Sequence, residues 1–425
     1  MFLIIAGGFL FRAVAGCALF WISYLQLPIA RSLQIGRGFW FFALDAEWYF
    51  QLATMYAAAG LKAIALVPGL MPSPFFIQLL ALCVYSFGRV PSVGILLNAV
   101  CYLVTAAVLV WLAKRDAVMA RPAEVALLIV SFAPGFALWA LQPLKDPLFD
   151  CLLALFVAAC VAWQDLWRDA SERRVFPRAA ALTAAFFALT YAIGAIRWYA
   201  AFALWVTLPL FAVAVWMVAP RRARAIFATL LLMVVCSRAI LLGSAAYLPK
   251  QVRTVLQPLK AMRGSHSLDF LRWLDIVRRG YDTTPAATMI AAGPLMAHGD
   301  GETYGAGLRM PASRGERIIA GVVAAFVPRF IAQPLGLITI GGGRGFWLIV
   351  DTDTIVLDAL LVFVIVVCVR DIRARRTVTP ATVLVLASIV AIGVPLLYTV
   401  NNFGTLFRLR QIIAVEICLL PLVRR

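Results

Sequence analysis

Apolar stretches about one membrane thickness long recur along the whole chain, and Arg, Lys, Asp, Gly and Pro collect in the gaps between them. A helix needs about 20 apolar residues to cross a hydrocarbon core about 30 Å thick. The pattern predicts about ten membrane helices, at 2–26, 92–113, 125–142, 147–163, 179–195, 198–219, 226–248, 346–369, 380–399 and 411–423. The first stretch, Phe2 to Gln26, has neither the basic start nor the small-residue cleavage pattern of a secretory signal, so it is expected to stay as a membrane helix.

Short loops rich in Arg and Lys stay on the cytoplasmic side of a membrane. Five such segments occur: Lys114 to Arg121, Arg168 to Arg178, Arg221 to Arg224, Arg370 to Arg376, and Arg424-Arg425. Ten spans put all five on one side and both termini inside. Two apolar pieces, Pro74 to Gly88 and Arg317 to Leu335, are then amphipathic helices lying on the outer face; the first is short for a crossing and the second is interrupted by Pro328-Arg329. Counting both as spans gives twelve and puts three of the basic loops outside.

Composition agrees with the pattern, since 64% of the 425 residues are hydrophobic and only 14% charged, outside the range of soluble domains. The fold class is all-α, a polytopic helical membrane protein, organised as a single integral membrane domain over 1–425. The net charge of +18 suits anionic lipid headgroups or lipid-linked phosphates better than nucleic acid. The eight cysteines lie in apolar stretches with no CxxC spacing, which marks them as packing residues.

The candidate chemistry falls on the expected outer face. The first outer loop, 27–91, carries Asp45 and Glu47 among aromatic residues. At i and i+2 they share a face only on extended backbone and diverge on a helix, so a single carboxylate would serve as general base or help to hold a divalent cation. Solvation at the interface is the plainer account of both.

Lys145, Arg197, Arg344, Arg408 and Arg410 all stand near helix N-termini expected to point outward. A cation there opposes the helix dipole, and it is accommodated where an anion is bound. Contact with phospholipid headgroups would satisfy the same charges. Asp146, followed by Pro147, has the form of a helix start.

The second large outer loop, 249–345, is a candidate substrate-binding lobe; it holds His266 and His298, which lack metal-ligand spacing, and ends in Gly341-Gly342-Gly343-Arg344-Gly345. Asp351 and Asp353 form a DxD that suits either a metal or the first turn of a helix. No residue is assigned to a metal.

A membrane helix, an outer loop with Asp45-Ala46-Glu47-Trp48-Tyr49, and Pro72-Ser73-Pro74 leading to Phe87-Gly88 together resemble the first part of GT-C-fold glycosyltransferases, the superfamily of protein O-mannosyltransferases and aminoarabinose transferases. Lys145-Asp146, Arg197-Trp198-Tyr199 and the run from Asn402 to Arg410 resemble stretches in bacterial envelope-polysaccharide proteins of this type. The resemblance implies an enzyme of the bacterial inner membrane, with its site facing the periplasm, that moves a sugar from a polyprenyl-phosphate donor to a glycan, lipid or protein acceptor. It makes Asp45 the catalytic or metal-associated carboxylate and Glu47 the second. Lys145, Asp146, Arg197, Tyr199, Arg344, Asn402, Arg408 and Arg410 become the substrate-binding set. No cofactor is required, with room left for a divalent cation. An O-antigen-type polymerase or ligase, which relies on arginines without Asp45, and a transporter or flippase of lipid-linked saccharides are the alternatives.

Overall fold

A computed structural model of the chain describes residues 1–68, 71–168, 175–220, 222–244, 274–275, 278, 290–295, 303–304, 308–309, 313–340, 344–374 and 378–424. Within them the apolar pattern folds as helices: α1 (Phe2–Tyr24), α2 (Leu44–Ala58), α3 (Leu61–Ala65), α4 (Pro74–Phe87), α5 (Ser92–Ala113), α6 (Ala120–Phe132), α7 (Pro134–Ala140), α8 (Asp146–Arg168), α9 (Val175–Ile196), α10 (Trp198–Val218) and α11 (Arg222–Gly243). They are followed by α12 (Arg314–Phe326), α13 (Arg329–Ala332), α14 (Arg344–Arg373), α15 (Pro380–Thr399) and α16 (Phe403–Leu419). The strands form three antiparallel pairs: Gln34–Gly36 with Phe39–Trp40, Ile290–Ala292 with Ile338–Ile340, and Thr303–Tyr304 with Leu308–Arg309.

Seven of the described helices, α1, α5, α8, α9, α10, α11 and α15, are long and apolar enough to cross a bilayer. The protein is therefore an all-α, multi-pass membrane protein. The stretch expected at 125–142 is instead two helices bent by 48°, which raise the number to eight if taken as one broken span. Proline explains the break, because Pro134 has no N–H to give the Val130 carbonyl. Arg12 from α1 takes that role: its guanidinium donates to the carbonyls of Val130 and Ser131, each at 2.6 Å, and lies 4.2 Å from the Tyr102 ring.

The chain divides into two compact units, one of Met1–Pro249, Asp371–Ser388 and Cys418–Arg425, the other of Lys250–Arg370 and Ile389–Ile417. In the first unit α1 packs on α5 and α6, α5 on α8, α8 on α9, and α9 on α10 and α11. Phe156, Trp163 and Phe186 meet edge to face where α8 and α9 cross.

The basic loops of this unit gather at one end. Arg115 pairs with Asp165 and Arg424 with Asp371, Gln164 accepts from the Ala381 N–H at 2.9 Å, and Trp163 donates to Thr229 at 3.0 Å. The opposite ends of the same helices carry Asp146 and Arg197. Since α8 has 23 residues, the two ends are separated by about 34 Å along it, close to the thickness of a bilayer core.

The loop that follows α1 is held by polar contacts. Ser23 donates to the Phe39 carbonyl at 2.6 Å and Trp40 to the Leu19 carbonyl at 3.0 Å. Gly38 turns the chain at φ +92, where a Cβ would also strike the Phe20 ring. The segment from Pro74 folds as the expected short helix, its 14 residues resting on α2, α5 and α9 through Phe76, Ile77, Leu80 and Val84.

In the second unit, Ser313 and Glu316 form a capping box at the start of α12. That helix stops at Val327 before Pro328, as the sequence of the second amphipathic piece implies. α12 meets α15 closely, since a Cβ on Gly321 would fall 2.0 Å from the Leu397 carbonyl oxygen. Most of 249–345, including His266, His298 and Gly341 to Gly343, lies outside the described residues. The span expected at 411–423 begins earlier, at Phe403, because Asn402 caps it through its side-chain oxygen and the Thr405 N–H at 2.9 Å.

Candidate functional site

α8 starts at a turn that is polar and almost wholly buried. Gln142 lies at 0% exposure and donates to the Gly38 and Leu141 carbonyls, while Asn98 of α5 donates to the carbonyls of Ala140 and Gln142. These bonds satisfy a backbone that Pro143 and Pro147 keep out of regular helix. Lys145 follows, and its carbonyl accepts the Phe149 N–H at 3.0 Å as α8 begins.

The Lys145 ammonium is half-buried. It donates to Ser73 Oγ at 2.7 Å and lies 5.5 Å from the centre of the Tyr49 ring. Ser73 in turn donates to the Ile196 carbonyl at 3.0 Å, at the end of α9. One hydroxyl thus joins the loop before α4, the α8 start and the α9–α10 turn.

Asp146 and Arg197 complete the cluster. They form an ion pair with both side chains 4% exposed, and Arg197 also donates to the Tyr199 hydroxyl and covers the Phe149 ring at 5.2 Å. Asp146 therefore does more than open the helix: its carboxylate neutralises the arginine of the neighbouring turn. Asp150, one turn further along α8, is 7% exposed and within electrostatic range of both.

Asp45 and Glu47 lie in the first turn of α2. The helical backbone sends them to different faces, as the i, i+2 spacing requires on a helix. Glu47 accepts from Gln51 at 3.1 Å. Asp45 is exposed and stands one turn before Tyr49, so both are on the same face of α2. Tyr49 is the residue beside Lys145, and it packs edge-on against Phe76 of α4. A carboxylate and a cation are thereby brought to one end of the first unit, around an aromatic ring.

The remaining candidates belong to the second unit. Arg410, expected in a turn, is in the third turn of α16 and only 2% exposed. It pairs with Asp353 at 2.6 Å and donates to Thr354 and to the Ala325 carbonyl, each at 2.9 Å. Asp351, the other half of the DxD, accepts from the Arg329 N–H at 2.7 Å and so caps α13. On helical backbone these two carboxylates also diverge, and each has a protein partner. Asn402 serves as the cap of α16, Arg408 is half-buried on that helix, and Arg344 is the first residue of α14, its side chain lying outside the description. Among the described residues no group of three or more His, Cys, Asp or Glu is placed to hold a metal ion.

Ser73 and Asn98 were not singled out by sequence reasoning. Ser73 stands between two prolines in left-handed backbone, φ +60, and that strained setting is the signal that could have found it. Asn98 gave none, being one amide in an apolar run. No protein-family model, no curated protein and no solved structure matches the chain.

Proposed function

We propose that the chain is a membrane glycosyltransferase of the GT-C type, with about ten spans, which transfers a sugar from a polyprenyl-phosphate donor to a hydroxyl acceptor on the periplasmic face of a bacterial inner membrane. The observation that carries it is the pairing of chemistries around Tyr49: the exposed carboxylate of Asp45 on its face of α2, and the Lys145 ammonium 5.5 Å from its ring.

In the transfer, Asp45 takes the proton of the acceptor hydroxyl as its oxygen attacks the anomeric carbon. The bond from that carbon to the phosphate oxygen breaks, and the lipid phosphate leaves with the electron pair. Lys145 opposes the negative charge growing on that oxygen. Attack opposite the leaving group inverts the sugar. Arg197 and Arg410 are each paired with an aspartate, so in this reading they hold their own elements in place while Lys145 meets the phosphate.

The test is turnover of a radiolabelled polyprenyl-phosphate sugar by protein in nanodiscs, with and without EDTA. Asp45→Asn is expected to lower kcat by about 10²–10⁴-fold, the range of a lost general base, with donor binding kept. Lys145→Ala is expected to weaken donor binding. Full turnover in Asp45→Asn overturns the assignment, and loss of turnover in EDTA makes Asp45 or Glu47 a metal ligand instead.

A further inference from the structure

At the end of the first unit away from Asp146 and Arg197, helices α8, α9 and α11 enclose a cleft of about 780 Å³. Its walls are apolar and aromatic, with Trp163, Trp167, Phe176, Phe187 and Phe227 among them, and Arg224 contributes the charge. The volume is that of a small-molecule pocket rather than of a packing defect. Phe176 and Phe227 are 84% and 72% exposed, so these large side chains stand against the cleft with little protein over them.

Arginines gather at the helix ends around the cleft, and the carboxylate of Asp165 at the same end is paired with Arg115. Arg224 stands in the first turn of α11 and Arg178 in that of α9, Arg168 in the last turn of α8, and neither first turn holds an acidic residue. A cation in a first turn adds to the positive end of the helix dipole. Among the described residues no carboxylate pairs with Arg224 and none of its N–H groups has a hydrogen-bond partner. Trp167 Nε1 is also enclosed, with no acceptor among the described residues. An anionic group beside Arg224 would answer the dipoles and the guanidinium together.

We propose that the cleft is a binding site for an anionic phospholipid of the leaflet on the basic-loop side. One acyl chain lies between α9 and α11 against Trp163, Phe187 and Phe227, and the phosphate lies at Arg224. The site is independent of the glycosyltransferase proposal, since it sits at the opposite ends of α8 and α9 from Asp146 and Arg197.

Native mass spectrometry of delipidated protein, titrated with phosphatidylglycerol or with phosphatidylcholine of the same chains, tests it. Wild type is expected to retain one phosphatidylglycerol in preference to phosphatidylcholine. Arg224→Gln is expected to lower that preference about fivefold, the effect of one arginine near a lipid surface. Ala180→Trp fills the cleft from an exposed position on α9, and is expected to remove the bound lipid with the melting temperature unchanged. Equal retention of the two lipids overturns the proposal, as does phosphatidylglycerol binding that neither variant alters. Retention of a polyprenyl phosphate in place of phosphatidylglycerol also overturns it.

Discussion

Asp146, at the start of α8, closes on Arg197 in the turn between α9 and α10, with both side chains 4% exposed. Removing one member of such a buried pair leaves a charge without a counter-charge, at a cost of about 3–5 kcal/mol, whereas an apolar replacement of both is often neutral. Arg197→Ala and Asp146→Ala are therefore expected to melt well below wild type in detergent, and Asp146→Leu with Arg197→Met to recover most of the loss. Single variants that melt like wild type would show that the pair does not hold the turn.

Arg12 is expected to act as the donor that Pro134 cannot be. Arg12→Leu deprives the carbonyls of Val130 and Ser131 of their partner, and each buried group left unmade costs about 1–3 kcal/mol. Pro134→Ala restores an N–H four residues beyond Val130. In the Arg12→Leu background it should recover stability, while in wild type it should not. Thermal melts of the four proteins give the coupling directly, and additive effects would sink the idea.

Hydropathy was enough to show that the protein is helical and multi-pass, because lipid leaves the backbone no other open-chain choice. That the basic segments share one end was legible too for those described in the first unit, which gather there. The bend at Pro134 was not, since hydropathy runs straight through Ala133 while the missing N–H breaks the helix. The start of α16 was misplaced for a different reason: Arg408 and Arg410 read as loop residues, although Asn402 caps the helix before them and Asp353 receives Arg410. An intramembrane arginine is informative only once its partner is known. In the candidate site, Lys145 and Asp45 were visible as charges in unusual places. That Tyr49 and Ser73 would bring Lys145 to the Asp45 face of α2 depends on contacts across long sequence separations, which periodicity does not encode.

Gly94 is expected to be the least replaceable glycine near the candidate site. A Cβ there would fall 2.3 Å from Pro143 Cβ and 3.0 Å from its Cα, pushing against the turn that presents Lys145. Overpacking of this kind costs about 1–3 kcal/mol. Gly94→Val should lower the melting temperature and also weaken whatever Lys145 binds, whereas Gly88→Ala, with nothing within 4 Å of its Cβ but φ +101, should affect stability alone. Unchanged binding in Gly94→Val would mean that the turn absorbs the shift elsewhere.

Asp275 supplies the pH dependence of the second unit. Its carboxylate accepts from Tyr398, from Arg314 at 3.0 Å and from Arg317 at 3.0 Å, while the neighbouring Arg278 donates to the Tyr398 carbonyl at 3.2 Å. Burial pushes the Asp275 carboxyl up, but the hydrogen bond from Tyr398 and the two arginines outweigh it and hold its pKa below the usual carboxylate value. A pKa lower in the folded than in the unfolded state means that the unfolded chain binds more protons as pH falls. The stabilisation is thus fully present above the unfolded carboxylate pKa, about 4, and is lost as pH drops through the folded value. Asp275→Asn should therefore make the start of α12 exchange amide hydrogens faster than wild type at pH 7. The difference should shrink below about pH 4, as the wild-type carboxylate is protonated and the two side chains come to carry the same charge. A difference that persists undiminished at low pH would assign the effect to the shape of the side chain and not to its charge.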